Sequence, residues 1–384
     1  MKTILWLYSK PLNPEAGGTE RITSLVQRGL RQRGYNCMDI LVLDTKEGKA
    51  TYHDEEVEDI YQFLKDNRVD VVINQAGHAP DLLKWFIEKG GKRWHDEGGK
   101  IISCLHFNPQ PVSVHYQFSI KPNKTWHDYY VIVKSWLLHG YLYKRDRRSV
   151  GKSYREVYDM SDAYVMLSES YREYIRKGAG ITDDTKLVAI SNPLTFEDIS
   201  DESILNKKKN TILVVSRLMD WQKRVSLSIN AWEKLSKKPS MADWNMKIVC
   251  DGEDLEVYKD YVDKHNIERI SFEGQQSPEP YYSEAKIFLM TSKTEGWGLT
   301  ITESLQRGVV PIAFDTSTAF HEIINDGENG FLVKEGALGQ YEKKIEMLAN
   351  DSEIWSRMAK NALASANRFR LDRITEQWVR VIEK

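Results

Sequence analysis

Short apolar runs alternate with amphipathic segments along almost the whole chain, and this alternation limits the fold more than any other feature. TILWLYS, CMDILVL, VDVVINQ and KIISCLHFN read as buried strands. Between them, ERITSLVQRGLRQRG places Ile22, Leu25, Val26, Gly29 and Leu30 on one helical face, with Gly34 as a stop. EEVEDIYQFLKDN and DLLKWFIEKGG read as further helices. Strands apolar on both sides, joined by helices, belong to a parallel sheet covered on both faces. The pattern resumes in AYVMLS and LVAISNP, then stops at the polar stretch TFEDISDESILNKKKN, residues 195–210. It restarts with TILVVSRL and runs through KIFLMTS, LTITESLQRG and VVPIAFD to GFLV, and the last stretch reads as helices only. The expectation is an α/β chain of two Rossmann-like βαβ domains, residues 1–195 and 196–365.

The bulk numbers agree with two domains. A chain of 384 residues is too long for one compact core, and a 41% hydrophobic content can fill two. The charged fraction is 29% and the formal net charge −2, which excludes a uniformly basic nucleic-acid binder. Cys37, Cys104 and Cys250 lie far apart. That spacing argues against a disulfide framework or a cysteine metal site and fits a reducing cytosol. The N-terminus lacks the longer apolar stretch of a signal peptide, and no apolar run approaches the roughly 20 residues of a membrane span. A cytoplasmic protein is expected.

In TEGWGLTITESLQRGVVPIAFD, seven residues separate Glu295 from Glu303. KIFLMTS reads as a strand, so Glu295 falls in the loop leaving its carboxyl end. A helix starting near Leu299 places Glu303 in its early turns. Gly296 and Gly298 allow close backbone approach, and the N–H groups around Gly298, Leu299 and Thr300 are open to an anion. Carboxylates and N–H donors at one place suit a ligand carrying both hydroxyls and phosphate. A second reading also fits the spacing: Glu303 merely favours a helix N-terminus and Glu295 is solvated.

The segment from Glu295 to Glu303, with GWGLTIT between them and SLQRGVVPIAFD after, resembles the E-x7-E motif of family-four (group 1) retaining glycosyltransferases. GGTER, CLHFN, AISNP, VVSRLMDWQKR, CDGE and EIINDGENGFLV resemble other family segments in the same order. The resemblance is densest from Thr211 to Val333. It implies the GT-B fold, two Rossmann-like domains facing each other across a crevice, with a helix at 366–384 packing back on the first. Two departures stand out. Asn192-Pro193 replaces a common Asn-Gly, and proline fixes φ there. Trp297 stands where phenylalanine is frequent.

The resemblance implies transfer of a hexose or N-acetylhexosamine from a nucleotide sugar, expected to be UDP-linked, to a glycan or lipid-linked glycan in surface polysaccharide synthesis. Arg217 and Lys223 would contact the diphosphate, one as a fork and the other as a point charge. Gly17 and Gly18 would offer bare N–H groups before Thr19, expected to cap the first helix. Glu303 would hold the ribose hydroxyls. Glu295, with Gly296, Trp297, Gly298, Leu299 and Thr300, would face the donor sugar, and His106 would contact it near the reacting centre. The sequence holds no Asp-x-Asp pair, so no metal or other cofactor is expected. Retaining transfer by same-face attack needs no carboxylate nucleophile and rests on placement and charge. A sugar-nucleotide epimerase of the same fold and a non-catalytic sugar-nucleotide binder are the alternatives.

Residues 121–155 differ from the rest. Lys121, Lys124, Lys134, Lys144, Arg145, Arg147, Arg148, Lys152 and Arg155 interleave there with Trp126, Tyr129, Tyr130, Trp136, Tyr141 and Tyr143. This pattern fits peripheral contact with the inner face of a membrane or with a lipid diphosphate. It fits equally a helical excursion with its aromatics packed inward.

Overall fold

The computed structural model describes residues 2–15, 17–44, 49–110 and 126–384. The chain forms two compact units. The first comprises Met1–Pro111, Lys144–Thr195 and Phe369–Lys384; the second comprises Val112–Tyr143 and Phe196–Arg368.

In the first unit, β1 (Thr3–Tyr8), β2 (Asn36–Asp44), β3 (Lys49–Tyr52), β4 (Glu55–Glu56), β5 (Val69–Asn74), β6 (Lys100–Leu105), β7 (Ala163–Met166) and β8 (Leu187–Ala189) form one sheet. Its order is β4-β3-β2-β1-β5-β6-β7-β8. Every residue of β1 is buried, as a central strand covered on both faces requires. The pairs from β2 to β8 are parallel, whereas β3 runs antiparallel to both β2 and β4. This edge hairpin corrects the reading of EEVEDIYQFLKDN as one helix. Glu55–Glu56 pair as a strand, and the helix is Ile60–Asp66, started by the Asp59 side chain accepting from Gln62 N at 3.0 Å. The C-terminal helix Leu371–Glu383 lies against helix Gly18–Gln32, where a Cβ on Gly29 would overlap Thr375. The Trp378 and Trp6 rings are 6.1 Å apart, and Lys2 Nζ donates to Ile382 O at 3.0 Å.

The second unit is built on β9 (Thr211–Val215), β10 (Asn245–Val249), β11 (Ile270–Gly274), β12 (Ile287–Met290), β13 (Val310–Asp315) and β14 (Phe331–Lys334). All its pairs are parallel, in the order β11-β10-β9-β12-β13-β14. Ile212, Val214, Ile248, Leu289, Ile312 and Phe314 from these strands pack with Trp232 and Tyr341 from the covering helices. The polar stretch after Thr195 is not loose. Gln306 Nε2 donates to Phe196 O and Asp198 O, and buried Arg307 pairs with Asp198 and Glu279.

Each sheet has a place where the chain reverses its direction of travel across the strands. In the first it lies between β1 and β5, in the second between β9 and β12. Loops leaving the carboxyl ends of such strands diverge and leave room for a ligand.

Candidate functional site

The loops after β9 and β12 carry most of the residues singled out in the sequence. Arg217 follows β9, its side chain exposed. The turn Asp220–Lys223 comes next, and a buried carboxylate fixes it. Asp220 Oδ1 accepts from Ser226 N at 3.0 Å and Tyr258 Oη at 2.7 Å, and Oδ2 accepts from Ser226 Oγ at 2.9 Å. Asp254 Oδ2 accepts from Asp220 N at 2.7 Å. The CDGE turn rests on the same loop. Leu218 N donates to Asp251 O and Asp254 N to Leu218 O, both at 3.0 Å. A Cβ on Gly252 would fall 2.5 Å from Leu218 O, so only glycine allows this approach of two backbones.

Arg224 ties the two loops together. It is buried, sits at φ +49°, and donates through Nε to Thr291 O at 2.8 Å and through Nη2 to Ser292 O at 3.1 Å. Its Nη1 pairs with Glu335 at 2.8 Å. Thr291 Oγ1 donates back to Arg224 O at 2.8 Å, and Lys293 N donates to Gln222 O at 2.7 Å. The clamp brings Lys223 Nζ to 2.6 Å from Glu295 Oε1, with side chains only 20% and 15% exposed. Glu295 is therefore paired, not solvated. Burial, and then the Arg224 guanidinium, pull the Lys293 ammonium below its usual range.

Helix Leu299–Gln306 begins where the sequence places it. Gly298 precedes it at φ +104°, a conformation natural to glycine, and a Cβ there would lie 3.0 Å from Phe320 Cε1. No side chain caps this helix. Glu303 is 2% exposed in its second turn, far more enclosed than a carboxylate that merely favours a helix start. Trp297 is buried as well, so its indole is a core element, and a contact with ligand falls to its backbone.

In the first unit, Gly17 precedes helix Gly18–Gln32 in an extended conformation. The helix starts two residues earlier than the sequence suggests, and Thr19 lies inside it rather than capping it. The Glu20 carboxylate sits over this end; a Cβ on Gly17 would lie 2.5 Å from Glu20 Oε2. A phosphate arriving here meets a carboxylate already at the N-terminus. His106 directly follows β6, its Nε2 2.8 Å from the Gln75 carboxamide. Burial, and then neighbouring His78, push its pKa down to about 4, so the ring is neutral at pH 7. Gly17, Gly18 and His106 belong to the first unit, and Arg217, Lys223, Glu295 through Thr300, and Glu303 to the second.

Residues 195–364 match the family model of the glycosyl transferases, group 1. An uncharacterized glycosyltransferase of Haemophilus influenzae is 27% identical over 194 residues, 50% of this chain and 54% of that protein. Amylovoran biosynthesis glycosyltransferase AmsD of Erwinia amylovora is 22% identical over 94% of this chain and 95% of its own length. Among solved structures, HepE of Anabaena, in complex with UDP and glucose, superposes with a TM-score of 0.66 at 14% identity, covering 100% of both chains. The two Rossmann-like sheets are thus those of the GT-B fold class.

The group 1 match spans Arg217, Lys223, Glu295 through Thr300 and Glu303, and does not reach Gly17, Gly18 or His106. The sequence reading missed Arg224 and Lys293, both beside residues it named. An arginine at positive φ leaves no periodic signature, and its value lies in backbone carbonyls 67 and 68 positions away.

Proposed function

We propose that the protein is a retaining glycosyltransferase that moves a hexose or N-acetylhexosamine from a UDP-sugar to a glycan or lipid-linked glycan in surface polysaccharide synthesis, without a metal. The observation that carries this reading is the Lys223–Glu295 pair at the β9/β12 switch, beside a helix start at a positive φ that favours glycine. Arg217 and Lys223 neutralise the departing diphosphate, aided by N–H groups of Gly298, Leu299 and Thr300. Glu303 accepts from the ribose hydroxyls, and Glu295 from the donor sugar. His106 acts on the sugar near the reacting carbon. The acceptor hydroxyl attacks the face from which the diphosphate leaves. The new C–O bond forms as the old one breaks, and the hydroxyl proton passes to the β-phosphate oxygen. Catalysis rests on placement and charge rather than on a carboxylate nucleophile.

The family match and the AmsD and HepE likenesses support a transferase, and UDP with glucose in HepE supports a UDP-sugar. The test is transfer from UDP-sugars to a lipid-linked glycan with EDTA present, the product read by proton NMR. A product with the donor's anomeric configuration is expected; an inverted one, or transfer abolished by EDTA, refutes this mechanism.

The acceptor side involves helix Trp126–Asp159. Trp126, Tyr130, Val133, Leu137 and Tyr141 are exposed and recur at helical spacing, with exposed Lys134, Lys144, Arg145 and Arg148 beside them. Lys121, Lys124 and the side chains of Tyr129, Trp136 and Tyr143 lie outside the described residues. An apolar stripe beside cations fits peripheral contact with an anionic bilayer on the cytoplasmic side. No helix among the described residues is long and apolar enough to cross a membrane. Flotation with phosphatidylglycerol vesicles but not with neutral ones is the expected result; no flotation with either refutes the contact.

A further inference from the structure

The first unit has its own switch point, between β1 and β5, and Gln75 leaves the end of β5 there. The turn carrying Gln75 is bolted to β6, the strand that delivers His106. Asn74 Nδ2 donates to Ser103 Oγ at 3.0 Å, and Ala76 N to Asn74 Oδ1 at 3.0 Å. Gly77 N donates to Cys104 O at 2.9 Å, and Tyr164 Oη to Gly77 O at 2.6 Å. A Cβ on Gly77 would overlap the Cys104 carbonyl, so the turn sits as close to the strand as backbone allows. The backbone that carries Gln75 is therefore held in place beside β6.

One end of that carboxamide lies 2.8 Å from His106 Nε2 and 3.0 Å from Thr23 Oγ1. The other end is buried without a hydrogen-bond partner. Thr23 Oγ1 also lies 2.8 Å from Thr19 O, which can only accept. A carboxamide's oxygen and nitrogen are told apart by such proton accounting. With oxygen toward His106, both amide hydrogens are buried unbonded, which a buried donor rarely is. With nitrogen toward His106, one hydrogen goes to Thr23 Oγ1 and the other to the Nε2 lone pair. The single Thr23 proton goes to Thr19 O, and the end left buried is then one carboxamide oxygen in place of two amide hydrogens.

We infer that Gln75 is a positioning residue that donates to His106 Nε2 through its amide nitrogen, so that His106 carries its proton on Nδ1 and offers the sugar a hydrogen-bond donor there. A ring that donates at Nδ1 recognises a hydroxyl oxygen as acceptor; the other tautomer would present a lone pair instead. The tautomer follows from the Gln75–His106 geometry alone, while its use in transfer rests on the role proposed above for His106.

The experiment is a long-range nitrogen–proton NMR spectrum of the full chain labelled at histidine ring nitrogens, with the His106 signals assigned by their loss in His106→Asn. The expected pattern is a protonated Nδ1 and a bare Nε2; the reverse pattern overturns the inference without any variant. Gln75→Glu keeps the shape but can only accept, so it should shift the proton onto Nε2. It should also cut transfer at least tenfold while leaving the melting-temperature rise with UDP, a second-unit property, unchanged. If the proton shifts and transfer is unaffected, the positioning role is refuted and the His106 reading with it, although the tautomer assignment stands. If Gln75→Glu does not fold, Gln75→Met, which removes the hydrogen bond without a charge, should raise both tautomers in place of one; a single unchanged Nδ1–H form overturns the inference.

Discussion

Glu295→Gln should give a result that opposes the usual expectation for a binding-site substitution. Glu295 and Lys223 meet at 2.6 Å with about four-fifths of each side chain covered. Removing one charge from a well-buried pair costs about 3–5 kcal/mol, because the partner is left uncompensated. Here the residual exposure and the retained amide acceptor reduce that to about 1–2 kcal/mol of stability. UDP carries a diphosphate that can replace the lost anion beside Lys223. In the parent it must share the lysine with a carboxylate that repels it. With an effective dielectric near 20 or above, one removed like charge several ångströms away is worth about 1 kcal/mol, or roughly fivefold in affinity. Glu295→Gln should therefore melt lower without ligand yet bind free UDP more tightly, by calorimetric titration at low salt. Transfer should still fall at least tenfold, because the sugar loses its acceptor. Tenfold weaker UDP binding in this variant would refute the charge argument.

Other substitutions probe separate parts of the structure. Cys250 directly follows β10 at φ +120°, a conformation costing a side-chain-bearing residue about 1–3 kcal/mol. Cys250→Gly should therefore raise the melting temperature by about 2 °C after glycine's own entropic cost; a fall would show that the Cys250 side chain stabilises more than the strain costs. The low pKa of His106, about 4 against 6.5 unfolded, means that the unfolded chain takes up a proton first as pH falls. Its contribution is complete above pH 6.5 and is lost progressively toward pH 4. Urea denaturation should show a shallower loss of stability across that window in His106→Asn than in the parent; equal slopes would contradict the shift.

The sequence was most informative where periodicity governs. Strands β9, β12, β13 and β14 and the start of helix Leu299–Gln306 fall where apolar runs and Gly298 put them, because buried parallel strands and glycine at positive φ leave local marks. The hairpin of β3 and β4 was missed, since Lys49–Tyr52 and Glu55–Glu56 are polar edge strands whose pairing is decided by β2. The nearness of Lys223 and Glu295 was also hidden. They lie 72 positions apart and meet because Arg224, a residue with no periodic signal, fastens one loop to the other. Gln75 was passed over for the same reason: its neighbours Thr23 and His106 come from helix Gly18–Gln32 and the end of β6.

The central claim is that the loops after β9 and β12 bind a nucleoside diphosphate through protein cations. Calorimetric titration of UDP in EDTA tests it most directly, on the parent, Glu303→Gln and the double variant Arg217→Met with Lys223→Met. The account predicts micromolar binding to the parent, about tenfold weaker binding to Glu303→Gln, and none measurable for the folded double variant. UDP binding of equal strength in all three would contradict it.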